Sequence, residues 1–437
     1  VSSGSSNLSS NYTYDTADRL TTATIGSNTY SYGFGVQNSS CGVGSNMNSV
    51  SGNSSNRTSQ TINGTTTTYC YNYADQLVSS SDPSESGDTY DSHGDLTRIG
   101  TGASLVRFYY DAEDRNTGIE QYDNNGNGYG MYYGRDPLGR IVGRYENNIA
   151  NWNWTDSGND INYDYSDSSD NPSYARSNYT WAITAEYVQL PGGVTVTIYP
   201  QQSSQASEYG YNLTNLHGDT FLTTDGTGSN TSSGTGPANA FIYDPFGNPI
   251  SGNSDPANTD RASYGYEGRS LKITETDFTG TPIQMGARVY LPALGRFTTM
   301  DPVSGGNANT YMYPADPINH NDVSGQCIGP FILLLPACIM VLTAAVDYFG
   351  TGGGGGAVES GAADLSDQLV IQEVKSNPSV GEQIMKGSLK DPAFPETDGW
   401  AKMQYTHEPL TQNARRVTVH YFYNTTTKVV KNVKIMR

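Results

Sequence analysis

A pair of tyrosine and aspartate returns along most of this sequence, and it restricts the possible folds more than any other feature. Its copies are Tyr12-Thr-Tyr14-Asp15, Tyr69-Cys-Tyr71-Asn72, Tyr90-Asp91, Tyr109-Tyr110-Asp111, Tyr132-Tyr133-Gly-Arg-Asp136 and Tyr243-Asp244-Pro-Phe-Gly247-Asn248. Tyr at i and i+2 falls on one face of a strand, where its ring can stack on the neighbouring repeat while the hydroxyl stays wet. The Asp carboxylate accepts from a backbone N–H two residues on, and Gly, Asn or Asp three residues after it takes positive φ cheaply. The Leu or Ile that follows re-enters the sheet. From Tyr71 to Tyr133 copies recur at roughly 15–25 residues, none can bury its own face, and so they must stack on one another. A generic β-sandwich shares the turn chemistry but has no need of the paired tyrosines. The Asn/Asp/Ser-rich stretch 146–180 breaks the register and is expected to be an insertion or exposed loop.

Composition agrees with many short strands and few helices. There are 33 Tyr against 11 Phe and 4 Trp, with 49 Gly in 437 residues, a balance suited to pleated, half-buried surfaces joined by turns. Residues 1–350 hold 14 Lys+Arg against 34 Asp+Glu, with Lys272 the sole lysine, whereas 351–437 hold 10 against 9. So acidic a first part argues against nucleic acid and anionic membrane as its partners. Cys41, Cys70, Cys327 and Cys338 lack the paired spacing of a zinc site, and no metal or cofactor is expected. Cys41 and Cys70 suit a disulfide or two buried thiols equally. The chain opens Val-Ser-Ser-Gly without an amino-terminal signal peptide and reads as a fragment or processed product.

The repeats resemble the YD repeats of the Rhs family of polymorphic-toxin proteins and of related insecticidal toxin-complex subunits. Downstream, Tyr211-Asn-Leu-Thr-Asn-Leu-His217-Gly218-Asp219, Asp225-Gly226 and Tyr243-Asp244 are similar to the lead-in of the Rhs repeat-associated core. Met285-Gly-Ala-Arg288-Val-Tyr290 through Gly295-Arg296-Phe297-Thr-Thr-Met-Asp301-Pro302, then Asn309-Thr-Tyr311-Met-Tyr313 and Asp316 through Asp322-Val-Ser-Gly325, resemble the core signature itself. The resemblance covers 1–326. It implies a mostly β fold in which a ribbon of hairpins (1–210) spirals into a partial cocoon. A core (211–326) plugs that ribbon, and the shell encloses the carboxy-terminal polypeptide as cargo.

The resemblance also implies self-cleavage after the core by aspartic-type chemistry, in which two carboxylates share one proton, one serving as base and the other as acid. Carried over to this sequence, the catalytic pair is Asp301 and Asp322, with Arg296 as the orienting cation and Gln326–Cys327 as the bond cut. The last box departs from the family's Asp-Pro-x-Gly, reading Asp322-Val-Ser-Gly325-Gln326. Asp301 and Asp322 can equally be plain turn caps.

From Cys327 to Val346 no charge occurs, a length that suits a bilayer-crossing helix, although Pro330 and Pro336 weaken its start. It reads as a segment inserting the cargo into a target membrane, as one packed inside the shell, or as a permanent anchor. Gly352–Gly356 is a linker. Beyond it, 357–437 reads as a small α+β domain with a helix starting at Asn377-Pro378, a strand at 416–423, a turn at 424–428 and a returning strand. The resemblance makes this the expected effector, with His407, Glu408 and His420 as the candidate acid–base or metal residues, although a structural histidine fits as well. Residues 411–437 carry six Lys+Arg and no Asp or Glu, so the basic tail alone suits nucleic acid.

Two functions follow from this reading. The first is a secreted or surface-exposed shell that encapsulates and delivers a toxin in competition between bacteria, with an immunity protein as partner. The second is a YD-repeat cell-surface adhesion protein without toxin activity.

Overall fold

The computed structural model describes residues 9–41, 46–167, 169–200, 208–234, 239–250, 263–303, 309–326, 374, 381–385, 394–407, 416–426 and 430–436. Two units result, Val1–Gly329 and Pro330–Arg437.

The first unit is mostly β, a ribbon of antiparallel hairpins in chain order. Six strands from Ser10–Tyr14 to Leu77–Ser80 pair each with the next. A second sheet of thirteen strands continues from Thr89–Tyr90 to Thr220–Asp225, with Asn153–Asp156 as a side hairpin on Ile141–Ala150. Alternation sets the faces: Ala23 and Ile25 are buried while their neighbours are not, and Ile161 and Tyr163 repeat the pattern. The sheet runs past residue 210 to Asp225, so its last hairpin falls in the segment assigned by sequence to the core.

Stretch 146–180 is not an exposed loop. It supplies the strands Asn153–Asp156, Ile161–Asp164 and Tyr174–Ser177, the last two within the main sheet. Its composition is that of a loop, but Ile161, Tyr163 and Ala175 give it an inward face, and burial of that face decides its structure.

The turns follow the expected chemistry. Asp15 Oδ1 accepts from the N–H groups of Ala17 (2.9 Å) and Arg19 (3.1 Å). The same double acceptance recurs at Asn72, Asp91, Asp111, Asp136 and Asp244, at Asp123, which follows Tyr122, and at Asp225, which follows no tyrosine. The third residue after each is left-handed: Asp18, Asp75, Gly94, Asp114, Gly126, Gly139, Gly228 and Gly247. At Asp123 the N–H of Asn127 is the chief cause holding the carboxylate below its usual range. At Asp15, Asp111 and Asp136 the residue four on is an arginine, whose guanidinium closes back onto the same carboxylate.

The tyrosines differ from expectation. Tyr110 Oη donates to Leu96 O (2.8 Å), Tyr165 Oη donates to Ile141 O (2.6 Å), and Tyr90 Oη accepts from Leu77 N (3.1 Å). Each acceptor or donor is the residue that re-enters the sheet after the preceding turn, so the hydroxyls join repeat to repeat instead of facing water. The ribbon rings Tyr32, Tyr90 and Tyr187 meet Phe246, Tyr311 and Tyr264 of the core. The reason is what lies against the inward face. A four-stranded sheet, Ile273–Thr274, Ile283–Met285, Arg288–Leu291 and Arg296–Phe297, sits there and excludes solvent. One apolar cluster joins Leu77, Leu96, Phe108, Ile119, Ile161 and Ala185 of the ribbon to Leu271, Val289 and Leu294 of that segment. Leu20 N, Leu96 N and Thr220 N donate to Ala315 O, Thr298 O and Gly265 O, so the ribbon wraps the core from its first hairpin to its last. Lys272 is buried in an ion pair with Asp170. Cys41 and Cys70 form a disulfide.

In the second unit the described residues form one antiparallel sheet, Glu382–Ile384, Trp400–His407, Val417–Asn424 and Val430–Met436. The two terminal strands and the turn match expectation. The helix expected from Asn377-Pro378 does not: Glu382–Ile384 pairs with Lys402–Gln404 as a strand, because ladder bonds to a neighbouring edge override a short helical spacing. The apolar stretch 327–346 and the glycine linker lie outside the described residues. Among the described residues no helix is long and apolar enough to cross a membrane.

Candidate functional site

Arg288 is the centre of the site. It stands on the Arg288–Leu291 strand, with a side chain 1% exposed. Its guanidinium lies over Phe297, 3.7 Å from the ring centroid. Nη2 donates to Asp301 Oδ2 (3.1 Å) and to Asp322 Oδ2 (3.0 Å), Nη1 to Thr310 O (3.1 Å), and Nε to Gly325 O. Burial pushes the guanidinium pKa down, and the two carboxylates oppose that shift. An arginine so deep needs both its charge and its donor fork matched, and here every nitrogen has an acceptor.

Asp301 and Asp322, 21 residues apart in the chain, are thus brought together on one guanidinium nitrogen. Their other oxygens cap turns. Asp301 Oδ1 accepts from Val303 N (2.9 Å), and Asp322 Oδ1 accepts from Gln326 N (3.0 Å) and Ser324 Oγ (3.2 Å). Each carboxylate therefore caps a turn, and the two also share one cation. When both are ionised, two negative charges face one positive charge inside a closed core.

The chain segment that leaves the core is seated on the same group. Ala287 N donates to Ser324 O (2.9 Å), and Gly325 lies in the left-handed region at φ +66. A Cβ at Gly325 would stand 2.4 Å from Met285 O and 2.8 Å from Arg288 N, so only glycine allows this approach. Gln326, whose carbonyl belongs to the bond expected to be cut, is thereby held with its N–H on Asp322. Cys327 lies outside the described residues.

Arg296 is not part of this group. Its Nη1 donates to Asn56 Oδ1 (2.6 Å) and its Nη2 to Asp75 O, and it lies over Tyr71 and Tyr311. It fastens the ribbon to the core. The sequence offers two arginines, each on a short core strand, and nearness along the chain favoured the wrong one. An arginine between a tight turn and Val289-Tyr290-Leu291 was the available signal, because a cation inside an apolar strand must have a buried acid.

Of the three tail candidates, only His420 has a described side chain. His420 Nε2 is 2.8 Å from Gln404 Oε1 across a rung of the sheet. Burial, then Lys402, pushes the His420 pKa down. His407 pairs with Val417, three rungs along, roughly 10 Å at strand rise. The His407 side chain and Glu408 lie outside the described residues.

A second buried cluster was not anticipated. His217 Nδ1 is 2.9 Å from Asp219 Oδ1, its Nε2 is 3.6 Å from Glu267 Oε1, and its ring lies 5.3 Å from Tyr266. Burial opposes protonation of His217, but Asp219 and then Glu267 outweigh it and carry the pKa up to about 9. A raised histidine stabilises the fold fully below its unfolded value near 6.5, and that contribution disappears as pH rises through about 9. Burial also raises Glu267 to about 7, so its contribution is lost earlier, between its ordinary value and 7. Thermal unfolding should therefore show stability falling as pH rises from 6.5 through about 9, by on the order of 3 kcal/mol. His217→Gln should flatten that slope, and an unchanged slope would remove His217 as its source.

The sequence matches no protein-family description, and no curated protein matches it. Solved structures do. The chain is similar to TcdB2-TccC3-Cdc42 at 16% identity and a TM-score of 0.46, over 72% of this chain and 15% of that one. It is similar to TcdB2-TccC3 at 16% identity and a TM-score of 0.45, over 70% and 15%. For the Photorhabdus luminescens Tc holotoxin pore with a TccC3 mutation the figures are 15% identity and a TM-score of 0.44, over 72% and 15%. The chain thus spans about 15% of the length of those proteins.

Proposed function

We propose that this chain is the closing part of an Rhs-type shell, whose YD ribbon and associated core enclose the carboxy-terminal segment as toxin cargo and cut it free after Gln326. One observation carries the reading. The ribbon wraps a core in which Arg288 and Asp322 grip the residues where the described first unit ends, with Asp301 on the same guanidinium. The Cys41–Cys70 disulfide favours a secreted, oxidising setting. Release into a target cell, an immunity protein that binds the cargo and entry through 327–346 extend the same proposal. Contact of the basic tail with nucleic acid extends it too.

The chemistry is hydrolysis. One carboxylate of the pair takes a proton from water as its oxygen attacks the Gln326 carbonyl carbon. The other, protonated, gives its proton to the Cys327 nitrogen as the C–N bond breaks. Arg288 keeps both acids in place and counters the charge left behind. Gln326 ends as a carboxylate and Cys327 as a free amine.

Intact mass spectrometry of the full chain tests this. Two fragments meeting at 326/327 are expected from the wild type. Asp301→Asn and Asp322→Asn should each slow their appearance by about 100-fold or more, the usual loss on removing an acid or base. A single uncut mass for wild type and both variants would overturn the cleavage.

A further inference from the structure

The Asp91 turn departs from the other turns in one respect. Four residues after the turn acid, Arg19, Arg115, Arg140 and Asn248 each place a donor on that acid. After Asp91 the same position is Asp95, another carboxylate. It is 1% exposed, and its Oδ2 is buried with no hydrogen-bond donor among the described residues. A buried acid in place of a cation is costly unless something positive stands against it.

The two groups beside it come from consecutive turns. His93 follows Asp91 in the same turn, and Asp114 is the left-handed residue of the next one, at Asp111. His93 Nδ1 lies 2.7 Å from Asp114 Oδ1. One ligand atom each from His93, Asp95 and Asp114 fall within 4.8 Å of one another. The Asp91 turn is itself fixed on the core, since Tyr311 Oη donates to Gly94 O (2.7 Å) and Leu96 N to Thr298 O (2.8 Å). The inner ligand is therefore held in place, while His93 and Asp114, with side chains 57% and 45% exposed, can close on an ion from outside.

We propose that His93, Asp95 and Asp114 form a divalent-cation site that ties the turn of one repeat to the turn of the next. One imidazole with two carboxylates is a donor set for a borderline first-row ion such as Zn2+, in preference to Ca2+, which takes oxygen ligands. Such an ion supplies the positive charge that an arginine supplies at the Asp15, Asp111 and Asp136 turns, and it bridges two hairpins instead of closing one.

The test uses the full chain stripped with EDTA and titrated calorimetrically with Zn2+, with Ca2+ as the comparison. One Zn2+ site is expected whose affinity falls at least about tenfold in His93→Ala and in Asp114→Asn. Both side chains are partly exposed, so both variants should keep the wild-type circular dichroism. Asp95→Asn gives the second readout. It should raise the melting temperature without metal, because a buried charge is gone, and abolish the rise that Zn2+ gives the wild type. Zn2+ binding that is unchanged in both exposed-ligand variants overturns the site, and so does the absence of binding at millimolar Zn2+.

Discussion

Replacing Arg144 with alanine is expected to destabilise the first unit by about 3–5 kcal/mol, the cost of leaving a buried acid without its cation. Arg144 lies on the Ile141–Ala150 strand with a side chain 2% exposed, and Glu275 of the core is 1% exposed. The pair is bidentate, Nε to Oε1 at 3.0 Å and Nη2 to Oε2 at 2.7 Å, and Tyr133 Oη adds a third donor at 2.8 Å. Without the guanidinium, Tyr133 Oη would be the one donor left to the carboxylate among the described residues. The ionised acid would then have to take up a proton or draw the ribbon open to water. The alternative explanation, that Arg144 matters only through the volume it fills, predicts something different for a paired change. Arg144→Met with Glu275→Leu removes both charges and keeps the volume, and should lie within about 1–2 kcal/mol of the wild type. Urea unfolding of the single and double variants separates the two. Equal midpoints for Arg144→Ala and the double variant would show that the charge is not what matters. Raising salt should leave the effect in place, because a pair this deep is little screened.

The turns were legible in the sequence because their physics is contained within five residues. A carboxylate at Asp15 or Asp111 finds the N–H groups two and four positions on without help from elsewhere. The fate of the tyrosine hydroxyls was not legible. Whether Tyr110 Oη meets water or Leu96 O depends on a core segment nearly two hundred residues later covering that face. The same limit hid the role of Arg288. Asp301 and Asp322 were recoverable as acids in a recognisable box, but the cation that joins them was fixed by sheet pairing and not by distance along the chain. Stretch 146–180 is a different kind of miss. The alternation at Ile161-Asn162-Tyr163-Asp164 was present and was outweighed by composition, although burial of one face is the stronger determinant. The His93, Asp95 and Asp114 group comes from neighbouring repeats, and only their stacking brings it together.

Gly247→Ala should be among the most damaging single-methyl changes in the ribbon and core, at about 2–5 kcal/mol. About 1–2 kcal/mol comes from the left-handed backbone and about 1–3 from overpacking. Gly247 has φ +95, and an added Cβ would stand 2.6–2.9 Å from Cγ, Cδ1 and Cδ2 of Tyr266. Tyr266 has nowhere to go. It is 1% exposed and packed with Tyr243, Tyr290 and Tyr313, with Tyr290 stacked at 6.3 Å. Phe246, the residue before, is wedged beneath Tyr32 and Arg57. This turn therefore does what the others do, with Asp244 accepting from Phe246 N and Asn248 N, but inside the core. Gly228 supplies the control. Its φ is +83 and nothing lies within 4 Å of an added Cβ, so Gly228→Ala should cost only the backbone part, about 1–2 kcal/mol. The difference between the two variants in a thermal melt isolates the Tyr266 contact. If both shift the midpoint equally, the aromatic cluster is looser than its geometry implies, and this turn is only one more hairpin.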